Sequence, residues 1–222
     1  MDFKEISPLL VQFAVRNKEK WNELDGAQGD GDMGVTVLMG AQALAASAES
    51  CNSLKEWFEV GGKALRKAAP STMGILIASA LIASSKQIPE HTEELSLNDW
   101  VRVQQSIIDE IQKRGGANLG DKTVLDALIP AVQSFAEAVD QGEALHEALH
   151  KAALTAKQSA EATASMVSRI GRSSWLGERT LGNIDGGAWL CYQLYDFMMN
   201  CVEVVVEVEV EAGENLDSKR SR

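Results

Sequence analysis

Apolar positions recur at helical spacing along nearly the whole chain, from residue 5 to about 201, and only the last stretch changes period. The clearest run is Glu143 to Met166, where Leu145, Leu149, Ala152, Ala153, Ala156 and Ala160 share one face and their small size admits a closely packed neighbouring helix. Start and stop marks cut the rest into roughly seven or eight helical segments. Ser7-Pro8 reads as the opening of the first, because proline is tolerated at the first helical position, with Trp21 and Leu24 toward its end. Ser53 with Glu56, and Ser96 with Asp99, fit the pattern in which a hydroxyl and an acid three residues on satisfy the free N–H groups of a helix start. Pro70, Pro89 and the Gly115-Gly116 pair separate the segments. The pattern predicts an all-α bundle over residues 1–201. From Val202 to Glu211 valine and glutamate alternate, the period of a strand with one apolar face. A lone strand has nothing to pair with in a helical bundle, so this stretch either stays extended or pairs with a second copy to make a homodimer. Asn215 to Arg222 reads as a polar, disordered end, which makes 202–222 a tail separate from the domain.

The chain has 222 residues, 45% hydrophobic and 24% charged, which suits one soluble globular domain with a sizeable core. A net charge of −11 and a pI near 4.8 leave no basic stripe for nucleic-acid phosphates or anionic lipid, so neither nucleic acid nor a membrane is an expected partner. Residues 1–10 lack a basic start followed by an apolar stretch, and the longest apolar run, Gly74 to Ala83, falls far short of the roughly 20 residues that span a bilayer. A cytoplasmic location is expected. Cys51, Cys191 and Cys201 are odd in number and form no Cys-x-x-Cys pair, which predicts buried, reduced thiols.

Candidate chemistry centres on Asp25, Asp30 and Asp32, set among glycines in the segment Leu24 to Gly34. The glycines let the backbone fold sharply enough for neighbouring carboxylates to converge, and carboxylate oxygens suit Mg²⁺, which binds few protein ligands and often substrate phosphates as well. A solvated Asp/Gly turn is the plain alternative. Gly29, Gly31 and Gly34 formally satisfy the dinucleotide fingerprint, but the charged, helix-like Lys18 to Leu24 precedes them where a strand is needed, and two aspartates inside the loop would repel a phosphate unless a metal intervened. An EF-hand starting at Asp30 fails because Val35 takes its glycine position and Ala41 its bidentate glutamate position. His146-Glu147-Ala148-Leu149-His150 is a literal His-Glu-x-x-His, the zinc-peptidase pattern. It lies within the tandem repeat Glu-Ala-Leu-His-Glu-Ala-Leu-His, however, Ala153 stands where the extended pattern wants glycine, and no histidine follows His150.

Two further segments are richer than a helical scaffold requires. Gly115 to Asp126 runs from a loop into a helix, and Gly171 to Gly187 is a long polar loop in which Trp175 and Leu176 argue for order. Arg172 and Arg179 are candidate phosphate ligands, although Arg179 beside Glu178 equally reads as a structural ion pair. Pro70 to Gly74 precedes an apolar helix and either presents N–H groups and hydroxyls to an anion or forms a simple N-cap.

Taken together, Leu24-Asp25 with Gly29-Asp30-Gly31-Asp32-Met33-Gly34, then Gly120-Asp121-Lys122-Thr123-Val124-Leu125-Asp126 with Pro130, then Gly171 to Gly187, resemble in order and kind the nucleotide-binding L subunit of dihydroxyacetone kinase and the matching C-terminal domain of single-chain ATP-dependent dihydroxyacetone kinases. The resemblance covers roughly residues 5–200. It implies an antiparallel eight-helix barrel whose loops at one end hold ATP or ADP and two Mg²⁺ ions. Asp25, Asp30 and Asp32 match the metal-binding aspartates. Met33, Gly34 and Thr36, with Ser71, Thr72, Met73 and Gly74, fall at the phosphates; Gly115, Thr123 and Val124 fall at the nucleoside; Arg172 and the Asp185-Gly186 turn close over the nucleotide. Two positions depart from the family: Met33 replaces the usual histidine, and Pro70 to Gly74 replaces a glycine-rich phosphate loop. The resemblance implies phosphoryl transfer, from Mg-bound ATP or from a permanently bound ADP rephosphorylated by a donor protein, to a short-chain ketose held by a separate K-like subunit. The alternative from another class is a catalytically silent, nucleotide-binding regulatory subunit.

Overall fold

Asp2, not Ser7, starts the first helix. The computed structural model describes residues 2–90 and 94–202, and in it α1 (Phe3–Gly26) begins at a complete capping box, the Asp2 carboxylate accepting from the Lys4 and Glu5 N–H groups while Glu5 accepts from the Asp2 N–H. Pro8 lies inside the helix. Its ring leaves the Lys4 carbonyl without a backbone donor, and the Ser7 hydroxyl donates to that oxygen instead, at 3.3 Å. The Asp-x-x-Glu signal outweighs the Ser-Pro one because it satisfies two N–H groups rather than merely tolerating a missing one.

Among the described residues seven more α-helices follow: α2 (Met33–Ala48), α3 (Leu54–Ala68), α4 (Thr72–Ser84), α5 (Leu97–Gly115), α6 (Leu125–Asp140), α7 (Leu145–Ala162) and α8 over residues 186–202. Among the described residues there is no strand, as the helical periodicity predicts. Ser53 and Ser96 cap α3 and α5 as expected, and Gly116 ends α5 in the left-handed conformation. The alternating stretch after Val202 lies outside the described residues. None of the described helices is long and apolar enough to cross a membrane.

Each helix from α1 to α7 packs on the next, and α8 joins the two ends of the series. On one side Phe197 packs on Phe13, and the indole of the fully buried Trp21 donates to Gln193. On the other, Ala188, Cys191 and Tyr195 enter the largest core with α5, α6 and α7. Within α7 the expected face is buried at Leu149, Ala152, Ala153, Ala156 and Ala160, with Leu145 packed at its edge. Cys51 and Cys191 are buried free thiols, whereas Cys201 is only half-buried. In a bundle of consecutive antiparallel neighbours, the α1–α2, α3–α4, α5–α6 and α7–α8 connections gather at one end. Those are the four connections that hold the candidate site residues.

Candidate functional site

Asp25 organises the acidic loop. It sits in the last turn of α1, and its carboxylate accepts from the N–H groups of Gly31 (2.8 Å) and Asp32 (3.1 Å), folding residues 26–32 back over the helix end. A Cβ on Gly29 would stand 2.7 Å from Asp25 Oδ1 and 3.2 Å from the Asp25 carbonyl oxygen, so a larger residue would push aside the carboxylate that folds the loop. The result is that one carboxylate oxygen each from Asp25, Asp30 and Asp32 lie within 4.8 Å of one another, Asp25 half-buried and the other two exposed. This is a hard, all-oxygen donor set, chemically matched to Mg²⁺.

Charge in the cluster is uneven. Arg172 pairs with Asp30, holding that carboxyl below its ordinary range, and Asp30 in turn raises the guanidinium. Asp32 moves the other way, raised by desolvation and then by the negative charges of Asp30 and Asp25. Beside the cluster a cleft of about 410 Å³ is lined by residues 26–30 with Arg172, Trp175 and Leu176.

Two helix N-termini stand next to it. Asp32 is the N-cap of α2 but makes no side-chain capping bond, while Ser71 caps α4 by accepting from Gly74 N–H at 3.1 Å. Thr36 Oγ1 donates to Ser71 Oγ at 3.2 Å and joins the two ends. Thr72 is exposed, and Met73 packs at the edge of the core. The simple N-cap reading of residues 70–74 is therefore realised. Gly34 and Gly74 serve close packing: a Cβ on Gly34 would lie 2.1 Å from the Lys18 carbonyl oxygen, and one on Gly74 2.0 Å from that of Ala69. The Gly34 N–H is already taken by Asn22 Oδ1 at 2.8 Å. Met33 is buried in the core, its sulfur and methyl pressed under Gly186. Its side chain forms floor rather than mouth, because a thioether packs among Phe13, Trp21 and Leu190 at no desolvation cost.

The α5–α6 and α7–α8 connections bond to and pack on each other. Asp126 accepts from Gly120 (2.5 Å) and Thr123 (2.7 Å) N–H groups and shapes the loop before α6. Val124 lies against Gly187 at the start of α8, and Gly115 faces Leu76 of α4. Asp185 caps α8, its Oδ1 accepting from Ala188 N–H at 2.8 Å, and burial pushes its carboxyl up to about 6. Gln28 Nε2 donates to the Ile184 carbonyl at 2.9 Å and ties the acidic loop to the α7–α8 connection. The structure thus brings Asp25, Asp30, Asp32 and Arg172 into one group, joins Thr36 to Ser71, and sets Gly186 over Met33.

Sequence reasoning missed Asn22, Gln28 and Lys122, which hold loops together through side-chain bonds to backbone groups and carry no periodic signal. Residues 172–180 are not a bare loop but a 3₁₀ segment, Arg172–Thr180, kinked at Gly177. Trp175 is not its anchor, being 85% exposed; Thr180 and Ser168 are buried there instead. Arg179 is exposed, with Nε donating to the Leu176 carbonyl at 3.4 Å rather than pairing with Glu178. His146 and His150 are exposed on α7, and among the described residues no metal-ligand group gathers around them as one does at the aspartates.

The chain is 32% identical to a D-erythrulose kinase of Mycolicibacterium smegmatis over 77% of this chain and 30% of the relative. It is 29% identical to the PEP-dependent dihydroxyacetone kinase 1, ADP-binding subunit DhaL, of Listeria innocua over 82% of this chain and 87% of that subunit. It superimposes on the crystal structure of the dihydroxyacetone kinase from C. freundii in complex with AMP-PNP and Mg²⁺ with a TM-score of 0.66 and 23% identity, over 89% of this chain and 33% of that one. The chain thus spans about a third of the length of the M. smegmatis and C. freundii kinases. The model of the DAK2 domain matches residues 27–200, and the chain belongs to the DAK2-domain family.

Proposed function

We propose that the chain is the nucleotide-binding component, over residues 1–201, of a cytoplasmic dihydroxyacetone-type kinase that transfers a phosphoryl group to a short-chain ketose held by a separate K-like subunit. The observation that carries this reading is the convergence of Asp25, Asp30 and Asp32 beside the N-termini of α2 and α4. Those three carboxylates would hold Mg²⁺, two ions in the fullest version, and bound Mg²⁺ supplies neutralisation of phosphate charge. Phosphoryl transfer asks the protein mainly for positioning and electrostatics. The α2 start, with no side-chain cap, offers N–H donors at Met33 and Val35 to a phosphate; Ser71 and Thr72 offer hydroxyls. Arg172 is the mobile cation for phosphate charge, while Gly115, Thr123, Val124 and the Asp185-Gly186 turn border the nucleoside. The match across 87% of a DhaL subunit that is named ADP-binding supports a two-component arrangement, with bound ADP rephosphorylated by a donor protein or ATP exchanging in its place.

Calorimetry of the full chain with ADP, with and without Mg²⁺, tests the reading. Wild-type protein is expected to bind ADP in a Mg²⁺-dependent way, and Asp30→Asn with Asp32→Asn to weaken that binding by about a hundredfold, on the order of 3 kcal/mol for two lost metal ligands. Unchanged affinity in the double variant removes the kinase interpretation. Phosphorylation of dihydroxyacetone with a cognate K-like partner present then separates a catalytic subunit from a silent one.

A further inference from the structure

Lys122 is 1% exposed, and its φ of 61° is the one positive value outside glycine among the described residues. A lysine gains nothing locally from the left-handed region, so the surrounding structure holds it there. Its backbone is pinned on both sides, by Asp126 accepting from Gly120 and Thr123 N–H groups and by the Asp121 carbonyl accepting from Arg169 N–H at 3.1 Å. From this fixed point Nζ donates to the carbonyls of Met166 (3.1 Å), Thr180 and Asn183 (2.8 Å), which uses all three of its N–H bonds. Burial lowers the ammonium pKa, and the nearby Asp185 charge opposes that effect.

The three carbonyls lie before and after the segment that carries Arg172 and Trp175. Between them, Gly171 and Gly177 adopt φ of 72° and 56°, and the residues they bracket reach the acidic loop through the Arg172–Asp30 pair. We propose that Lys122 is a positioning residue of the nucleotide site, a clamp that fixes both ends of residues 166–183 so that Arg172 is delivered over the aspartate cluster from a rigid base. This inference rests on the nucleotide-binding reading. Its physical content is preorganisation: a segment tied at both ends loses little further freedom when its tip closes on a ligand, so binding retains more of the interaction energy. Lysine suits the task because a single ammonium on a long stem satisfies three carbonyls pointing from different directions, which a planar guanidinium does less well.

The test measures MgADP affinity and amide hydrogen exchange in the full-length wild type, Lys122→Met and Lys122→Arg. Lys122→Met is expected to weaken MgADP by about tenfold or more and to speed exchange across residues 166–183, with exchange in α3 unchanged. Lys122→Arg, which retains charge and donors, is expected to recover part of the affinity. MgADP affinity within about twofold of wild type in folded Lys122→Met overturns the clamp alone. If Lys122→Met does not fold, wild-type exchange decides: residues 166–168 and 180–183 are expected to be protected without nucleotide, and residues 173–176 to gain protection only with MgADP. Equal exchange across the segment overturns the clamp, whereas wild-type protein that binds no MgADP overturns the nucleotide reading and the clamp with it.

Discussion

Gly34→Ala tests how the fold and the candidate site depend on one contact. The methyl it adds would stand 2.1 Å from the Lys18 carbonyl oxygen and 2.8 Å from Asn22 Oδ1, against the 3.5 Å or so of an ordinary contact. Both obstacles belong to α1, and the nearer one is backbone, so no side-chain rotation relieves it. The start of α2 must retreat by roughly 1 Å, which also breaks the Gly34 N–H bond to Asn22. Overpacking of this kind costs about 1–3 kcal/mol, and a backbone obstacle puts it at the upper end. For a domain of this size, about 3 kcal/mol lowers the melting temperature by roughly 6–12 °C. The same retreat carries Asp32 and Thr36 away from Asp25 and Ser71, so MgADP affinity is expected to fall by about tenfold or more. Gly115→Ala is the matched control: its nearest obstacle is Leu76 Cδ2 at 3.9 Å, and an alanine at a helix end should raise the melting temperature by about 2–4 °C. Thermal melts by circular dichroism, with calorimetry for MgADP, read both. Gly34→Ala melting within about 2 °C of wild type would refute the close-packing argument.

Three other outcomes are expected. Asp185 carries a folded pKa of about 6 against an ordinary 3.8, so the folded protein takes up a proton between about pH 4 and 6, and stability falls as pH rises through that window, by about 2–3 kcal/mol. Asp185→Asn should therefore melt like wild type at pH 4 and higher than wild type at pH 8; equal shifts at both pH values would contradict this. Arg172→Ala should change stability by less than about 1 kcal/mol, since the Asp30 pair is exposed, while it tightens binding of Mg²⁺ alone and weakens MgADP, both read by calorimetry. His150→Ala should leave nucleotide binding unchanged, and metal analysis that found stoichiometric zinc in wild type and none in this variant would restore the peptidase reading.

The helical architecture was legible because it is written in repeated signals: the apolar face of α7, the serine caps of α3 and α5, and the glycine pair that ends α5 each agree with the rest. Where two local signals competed, at Ser7-Pro8 and Asp2-Glu5, the one forming more hydrogen bonds decided the boundary. The convergence of the three carboxylates was legible in part, because Asp and Gly in close alternation name both the carboxylates and the backbone freedom that brings them together. What was not legible is how the glycines divide their work. Gly29 opens space for a carboxylate, whereas Gly34 and Gly74 open space for a neighbouring carbonyl, and no spacing distinguishes these uses. Lys122 was illegible for a related reason, since its three acceptors lie 44 to 61 residues away and only the tertiary fold brings them together.

The Arg172–Asp30 pair explains why the two affinities in the Arg172→Ala prediction should move in opposite directions. Three carboxylates gathered within 4.8 Å repel one another, and the guanidinium partly offsets that repulsion in the absence of a cation. A divalent ion that engages Asp30 must first displace Arg172, at the modest cost of an exposed ion pair. For Mg²⁺ alone the guanidinium is therefore a competitor, and removing it helps. On the proposed reading a bound nucleotide would offer phosphate oxygens to the displaced cation, and a guanidinium pairs with phosphate at least as well as with carboxylate. The cost of the exchange is then returned by a new pair. On the proposed reading Arg172 would thus oppose an ion that arrives without phosphate and favour one that arrives with it, which would give a carboxylate cluster a way to discriminate between free Mg²⁺ and its nucleotide complex.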